Sequence, residues 1–502
     1  MSKLNLVATA LLLNATTMVF AGGLLTNTNQ NIVFLRNPAR DAAIGIDGVY
    51  SNPAGVAFLE NGFHVSLNLQ NAHQTRTVET DFPLFALNAN GDGNTQRKYK
   101  GKADAPIIPS IQAAYNKGKW SFQFGFAITG GGGKCTFDNG LGSFEQVVSA
   151  VTTYAPSINQ LYQMLGASGI PGMTNHGMGN KYAYDSYMRG RQYYYGFTFG
   201  SAYKVSDNLS VYGGLRLLYG SANYYGYVKN IQIEHIEDGK SSMVNASEHF
   251  TDLSATLFTY SGVMEQMGNA AAAELLANAG GQAQQLSVGT QDIELNCDQT
   301  GWGVAPIIGV DYKTGNFNFA AKYEFKTRMR LKNKSANSES AKGIAMLDKF
   351  ADGKKVDEDS PALLTVGAQY SILPSLRIMA GWHHYFDVDT EQYTKNMLGD
   401  SNEYLFGAEY DINKRLQVSA GMQRTDYAMK DDGINDISFN VSSYSVGLGV
   451  GYNVTDKIKV NAAYFQTFYD DYTKTVTTDA ATTVNKFTRT NRVIGLGVDL
   501  KI

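Results

Sequence analysis

The sequence predicts an all-β fold, a 14-stranded antiparallel transmembrane β-barrel, on three observations. Apolar and polar residues alternate with period two over unusually long stretches. Short turns alternate with long loops along the chain. The composition holds 52 Gly and 31 Tyr against 10 Pro and 2 Cys, a mix of small inward residues and interfacial aromatics that suits a large barrel. Charge is nearly balanced, 42 basic against 45 acidic for a net −3, so no field favours nucleic acid as a partner.

The chain opens with MSKLNLVATALLLNATTMVFA. A Lys at position 3, an apolar stretch and small residues at Val19 and Ala21 predict a signal peptide over residues 1–21. Asn14, Thr16 and Thr17 break the stretch, which argues against a membrane anchor.

Residues 22–60 carry no strand pattern but are too apolar for a disordered tail. They contain two Asn-Pro-Ala turns, Asn37-Pro38-Ala39 and Asn52-Pro53-Ala54-Gly55. Proline fixes its own φ there and pushes the preceding residue out of the helical region. About eight strands already leave an interior just wide enough for side chains to fill. A larger barrel has room for this segment as an internal hatch (plug). Inward glycines at Gly196, Gly214, Gly220, Gly309, Gly367, Gly447, Gly449, Gly495 and Gly497 would leave space for it.

Residues 61–502 are assigned to the wall. In FNFAAKYEFKTRMRL (317–331) the odd positions are mainly apolar, while the even ones include Lys322, Glu324, Lys326, Arg328 and Arg330. WSFQFGFAI (120–128), SVGLGVGYNV (445–454) and RVIGLGVDLKI (492–502) repeat the pattern. These runs exceed the usual ~5–6 residues of a globular strand. Turns at 116–119, 205–208, 313–316, 373–375, 411–414 and 454–457 alternate with loops near 80–100, 135–186, 231–300, 332–359, 389–401, 429–440 and 475–485. No repeat of the ~40–50-residue propeller kind is present. Segments 143–165 and 257–279 in the two longest loops read as helical. Their apolar faces either pack together or form a greasy groove at the cell surface.

Pro106 and Pro109 in the second strand each remove a ladder donor. Gly130 and Gly131, within TGGGG at the top of the third, bend freely. A gap or kink is expected there. Cys135 and Cys297 fall at the outer ends of the third and sixth strands, on the oxidising side. The alternatives are a disulfide between two long loops and two free thiols.

A hatch carrying NPA ahead of fourteen strands, the stretch GWGVAPIIGVDYKTGNFNFAAKYEFKTRMRLKN, and PALLTVGAQYSILPSLRIMAGWHHY from Pro361 together resemble the FadL family of outer-membrane transporters for long-chain fatty acids and other hydrophobic compounds. The chain departs from the pattern at its end, Ile502, where such barrels usually place an aromatic. The resemblance implies a monomer in the outer membrane of a Gram-negative bacterium, surrounded by outer-membrane lipid. It implies a hydrophobic ligand such as a fatty acid, caught among the loops, held above the hatch and released sideways into the bilayer. Aromatic hydrocarbons or other lipids are the alternative ligands. Leu24 and Leu25 would reach into the pocket. A carboxylate would need a lumen cation, for which Arg216, Lys322, Arg328, Arg330 and Arg377 are the candidates.

Rival classes are an enzyme, a water-filled porin and a surface adhesin. No G-x-S-x-G, H-E-x-x-H or P-loop occurs, and His383 and His384 point to opposite faces of a strand. The chain is therefore expected to be no enzyme and to need no cofactor or metal.

Overall fold

A computed structural model describes residues 31–502 apart from 168–174, 343, 393 and 479–480. The predicted signal peptide, Leu24 and Leu25 lie outside the described residues.

Fourteen antiparallel strands close into a barrel. They are β1 (Gly62–Asp81), β2 (Gln96–Lys117), β3 (Trp120–Phe137), β4 (His176–Lys204), β5 (Leu209–Glu237) and β6 (Ile293–Thr314). Next come β7 (Phe317–Glu324, resuming at Arg330–Ser335) and β8 (Lys355–Asp357, resuming at Leu363–Leu373). β9 (Leu376–Tyr385), β10 (Ser401–Asp411), β11 (Leu416–Asp426), β12 (Ser443–Thr455), β13 (Ile458–Tyr469) and β14 (Thr482–Lys501) complete the wall. Closure runs from His64↔Lys501 to Asp81↔Val484. Ile502 finishes the seam, its backbone N–H donating to Phe63 O (2.8 Å) and its carbonyl accepting from Phe63 N (3.0 Å).

The outer face is apolar where a soluble protein would be polar. Leu215, Ile308, Phe406, Leu448 and Leu496 are all about half exposed. On β6, Tyr312 lies beside a short turn and Trp302 ten residues above it. Ten residues at about 3.3 Å rise, tilted about 40°, span about 25 Å, the height of a lipid-facing band between aromatic girdles. Near the turns Phe63 packs on Tyr115 (4.4 Å between centroids) and Trp120 on Tyr203 (4.8 Å). Near the upper rim Tyr219 packs on Trp302 (4.7 Å). No helix among the described residues is long and apolar enough to cross a membrane; the strands do the crossing.

The hatch carries the short helix α1 (Ile32–Arg36); on the loop side, α2 (Gly142–Ser149) and α3 (Ala155–Ala167) follow β3. The hairpin α4 (Ala246–Gln266) and α5 (Ala270–Gly289) follows β5. Their apolar faces mostly bury one another: Ile158, Leu161 and Leu165 of α3 share one cluster with Phe250, Leu257 and Leu276 of the hairpin and with Tyr182 and Ile233 of the strand extensions. Met267, at the hairpin tip, and Leu275 remain exposed.

Candidate functional site

The hatch lies inside the barrel because its polar backbone finds partners on the inner wall. Both NPA turns are tightened by their asparagine: Asn37 Oδ1 accepts from Ala39 N (3.1 Å) and Asn52 Oδ1 from Gly55 N (3.1 Å). The first turn presses on one side of the wall, where a Cβ on Gly407 would fall 1.9 Å from Asn37 Oδ1 and one on Gly421 2.6 Å from Pro38 Cδ. The second is fixed to the other side. Asn52 Nδ2 donates to Asp311 Oδ2 (2.6 Å), Gln123 Nε2 to Pro53 O (2.7 Å) and Ser210 Oγ to Ala54 O (2.7 Å). Ala54 is buried against Ala202, Tyr212 and Ile307. Between the two turns His383 bridges Asp41 of the hatch (2.9 Å) and Glu403 of the wall (2.7 Å).

The expected role of the inward glycines holds at most of the positions named. Gly309, Gly367, Gly447, Gly449, Gly495 and Gly497 all face hatch atoms, and a Cβ on Gly447 would meet Leu35 O at 2.2 Å. Gly196, Gly214 and Gly220 instead face Thr129, Tyr212 and Leu331.

The five candidate cations sort differently from the sequence expectation. Arg216 and Lys322 do face inward, but both pair with Glu324, and Lys322 Nζ also donates to Tyr50 O (2.8 Å). Their charges stack on the Tyr50 ring at 4.9 and 5.2 Å. They clamp the hatch. Arg377 lies near the turn side, held bidentately by Asp411 (2.8 and 3.0 Å).

Arg328 and Arg330 require a correction: both are exposed, and Arg330 pairs with Asp357. Residues 300–307 of β6 face residues 324–332 of β7, so β7 carries one extra residue there. An odd insertion reverses the side-chain alternation. Met329 and Leu331 turn inward and the arginines turn out. Gly301 and Gly303 of the GWG stretch accommodate the shift, since a Cβ on Gly301 would lie 2.3 Å from Arg330 O.

Cys135 and Cys297 are free thiols. β4 and β5 stand between their strands, and three inter-strand steps of about 4.8 Å exceed the roughly 7 Å that a disulfide can span between Cα atoms. Cys297 is packed against Tyr224 and Phe350.

The wall is broken where the prolines and glycines suggested. The β2–β3 ladder runs from Gly101↔Phe137 to Ala103↔Cys135, stops, and resumes only at Ile111↔Phe126. Pro106 and Pro109 both lie in that unpaired stretch. The β1–β2 register also slips across it, between Gln70↔Ile108 and Ala72↔Ala105. On the other side β3 gains residues over β4, from Ile128↔Tyr195 through Gly130↔Tyr194 to Gly133↔Gln192. Gly131 takes φ 113° and Gly133 φ 70°, which favour glycine. A Cβ on Gly131 would sit 2.1 Å from Gln192 O. The unpaired edge of β2 is apolar, with Ile107 66% exposed and Ile108 half-buried.

Sequence reasoning missed the polar wall residues that grip the hatch, and it missed a pair of lumen arginines, Arg76 on β1 and Arg489 on β14, directly opposite each other. Their signal was the alternation of β1 and β14 read inward.

No family model matches the chain, and no curated protein sequence matches it. Solved structures do. A Pseudomonas aeruginosa FadL homologue matches at 12% identity over 95% of this chain and 99% of that chain, with a TM-score of 0.61. The P. putida toluene transporter TodX matches at 14% identity over 96% and 98%, with a TM-score of 0.53. The chain has the fold of the FadL homologues, a closed fourteen-stranded barrel with its N-terminal segment folded inside.

Proposed function

We propose that the protein sits as a monomer in the outer membrane of a Gram-negative bacterium and lets hydrophobic molecules, foremost long-chain fatty acids, diffuse inward. The ligand enters among the loops, settles above the hatch and leaves through the β2–β3 break into the bilayer. The break in the ladder carries this reading, because it is an apolar-edged interruption at membrane height, bordered by the two prolines of β2 and the glycine bulges of β3. A chain gains about 0.8 kcal/mol per CH₂ by staying out of water. A lateral exit to hydrocarbon therefore suits it better than an aqueous channel past the hatch. The hatch, tied to the wall at both NPA turns, need not move for a ligand that leaves sideways. Small aromatic hydrocarbons, such as the toluene named for one structural neighbour, are the alternative ligands.

The test uses the purified protein in nanodiscs and planar bilayers. Binding of labelled oleate or toluene, with little ion conductance, is the expected result. Large conductance with no binding of either compound would overturn the proposal in favour of a porin.

A further inference from the structure

The outer face of β2, β3 and β4 changes character above the upper aromatic girdle. Tyr195 belongs to that girdle, packing on Tyr219, which packs on Trp302. Four residues further out on β4 stands Arg191, in register with Lys134 of β3. Beyond it Lys102 of β2, Thr136 of β3 and Arg189 of β4 form a second row. Alternation puts all five on the lipid side of the wall, and Lys102, Lys134 and Arg191 are exposed. Four residues at about 3.3 Å rise, tilted about 40°, lift the first row about 10 Å above Tyr195. That height sets long basic side chains over the polar headgroup layer of the outer leaflet.

Elsewhere on the outer rim Lys98, Lys229 and Arg330 each hold a carboxylate, on Glu79, Glu294 and Asp357. The two rows do not. Lys134 and Arg191 face each other, and like charges directly opposite across a ladder repel. Among the described residues, the side chains of Lys102, Lys134 and Arg191 make no ion pair or hydrogen bond. The nearby acids are engaged, Asp104 by His73 and Asp185 by Asn230 (2.6 Å), while Asp138 lies past the end of β3. Arg189 is positioned without being neutralised, donating to Asn223 Oδ1 (2.9 Å) and lying 5.4 Å from the centre of the Tyr225 ring. The rows also stand on the upper lip of the break, because the β2–β3 ladder stops at Ala103↔Cys135, beside Lys102 and Lys134. Below them Leu69 and Ile107 are exposed to lipid.

We infer that Lys102, Lys134, Arg189 and Arg191 bind the phosphorylated sugar head of an outer-leaflet glycolipid, independently of what crosses the lumen. Lys134 and Arg191 take a phosphate between them, the arginine through two parallel N–H donors and the lysine as a point charge. The bound anion removes their repulsion. Lys102, the Thr136 hydroxyl and Arg189 meet the next phosphate or the sugar hydroxyls. The acyl chains then lie on Leu69 and Ile107, over the outer mouth of the break. A lipid with the same chains and no phosphate meets only the apolar half of this surface.

The experiment titrates bis-phosphorylated lipid A, and the same lipid stripped of its phosphates, onto the detergent-purified barrel and reads bound copies by native mass spectrometry. It compares the wild type with Lys134→Gln/Arg191→Gln and with a charge-matched control, Lys332→Gln/Lys334→Gln, whose residues are exposed on β7 beyond β5 and β6. Heat-modifiable migration on gels checks folding. Each cation near a lipid surface is worth about a factor of five. The first double variant should therefore bind phosphorylated lipid about thirtyfold more weakly, and raised salt should weaken the wild type in the same direction. The control variant, and every variant with the dephosphorylated lipid, should change less than about threefold. Should the double variant not fold, Lys134→Gln alone should lose about fivefold. Equal losses in the two double variants would reduce the effect to diffuse charge and overturn the site. Wild-type binding that does not distinguish the two lipids would overturn it as well.

Discussion

Replacing Asn52 by Ala tests whether the second NPA turn is what seats the hatch. The side chain makes three hydrogen bonds: Nδ2 to Ala43 O (3.2 Å), Nδ2 to Asp311 Oδ2 (2.6 Å), and Oδ1 from Gly55 N (3.1 Å). Two are neutral, at about 0.5–1.5 kcal/mol each, and one goes to a carboxylate, at about 1.5–3 kcal/mol. Asp311 would keep Asn318 (2.9 Å) as its remaining donor. Allowing for partial relaxation, the hatch loses about 2–4 kcal/mol of docking free energy, which is about thirty- to several-hundredfold in its opening equilibrium. The strand ladders do not use Asn52, so the loss is confined to the plug. Hydrogen exchange by mass spectrometry reads this directly, because local opening sets the exchange rate. Peptides covering residues 31–60 should exchange faster by that factor, and the wall strands should not change. Wild-type exchange in the hatch, or a parallel loss of protection in the wall, would show that Asn52 is not what seats the plug.

Three further outcomes follow from the same structure. Gly131→Ala forces a side chain into a positive-φ position 2.1 Å from Gln192 O, so the β3 bulge must shift and oleate transfer to the bilayer should slow in a barrel that still folds; an unchanged rate would contradict this. Burial beside His235 holds His249 down from 6.5 to about 4, with Asp252 opposing and His176 reinforcing the shift; Tyr162 hydrogen-bonds the ring (3.2 Å) and Glu237 lies near His176. Its docked form binds fewer protons, so its stabilisation of the α3–α4 packing is complete above about 6.5 and is lost as pH falls toward 4; limited proteolysis of the α4–α5 hairpin should be faster at pH 5 than at pH 7.5. Unfolding without reductant should expose two titratable thiols per chain, Cys135 and Cys297, and finding none would restore the disulfide.

The wall was legible because each strand borders two different solvents, which writes a period of two over long runs such as 445–454 and 492–502. The turns placed strand ends within a few residues, and Pro106, Pro109 and the TGGGG run marked the break by what they cannot pair or need not resist. The inner wall was harder to read. Arg328 and Arg330 were misplaced because a one-residue insertion leaves no mark in the alternation of FNFAAKYEFKTRMRL, which reads as one unbroken strand. Arg216 and Lys322 were placed inward correctly, but nothing local shows that Glu324 and Tyr50 occupy them; those contacts join residues far apart in the chain. The Cys135–Cys297 alternative could be settled only by counting the strands between them. The hatch grip depends on wall residues such as Asp311, Gln123 and His383, each of which looks like an ordinary lumen polar group until the plug is inside.

The most direct test of the account is photocrosslinking at the break. A photoreactive phenylalanine analogue in place of Ile108 lies on the unpaired β2 edge, and the same analogue in place of Val446, exposed on the outer face of β12, sees only bulk lipid. With labelled oleate in a reconstituted bilayer, a lateral exit gives labelling at position 108 that unlabelled oleate competes away and weak, non-competable labelling at 446. Equal and non-competable labelling at the two positions would contradict a lateral exit between β2 and β3.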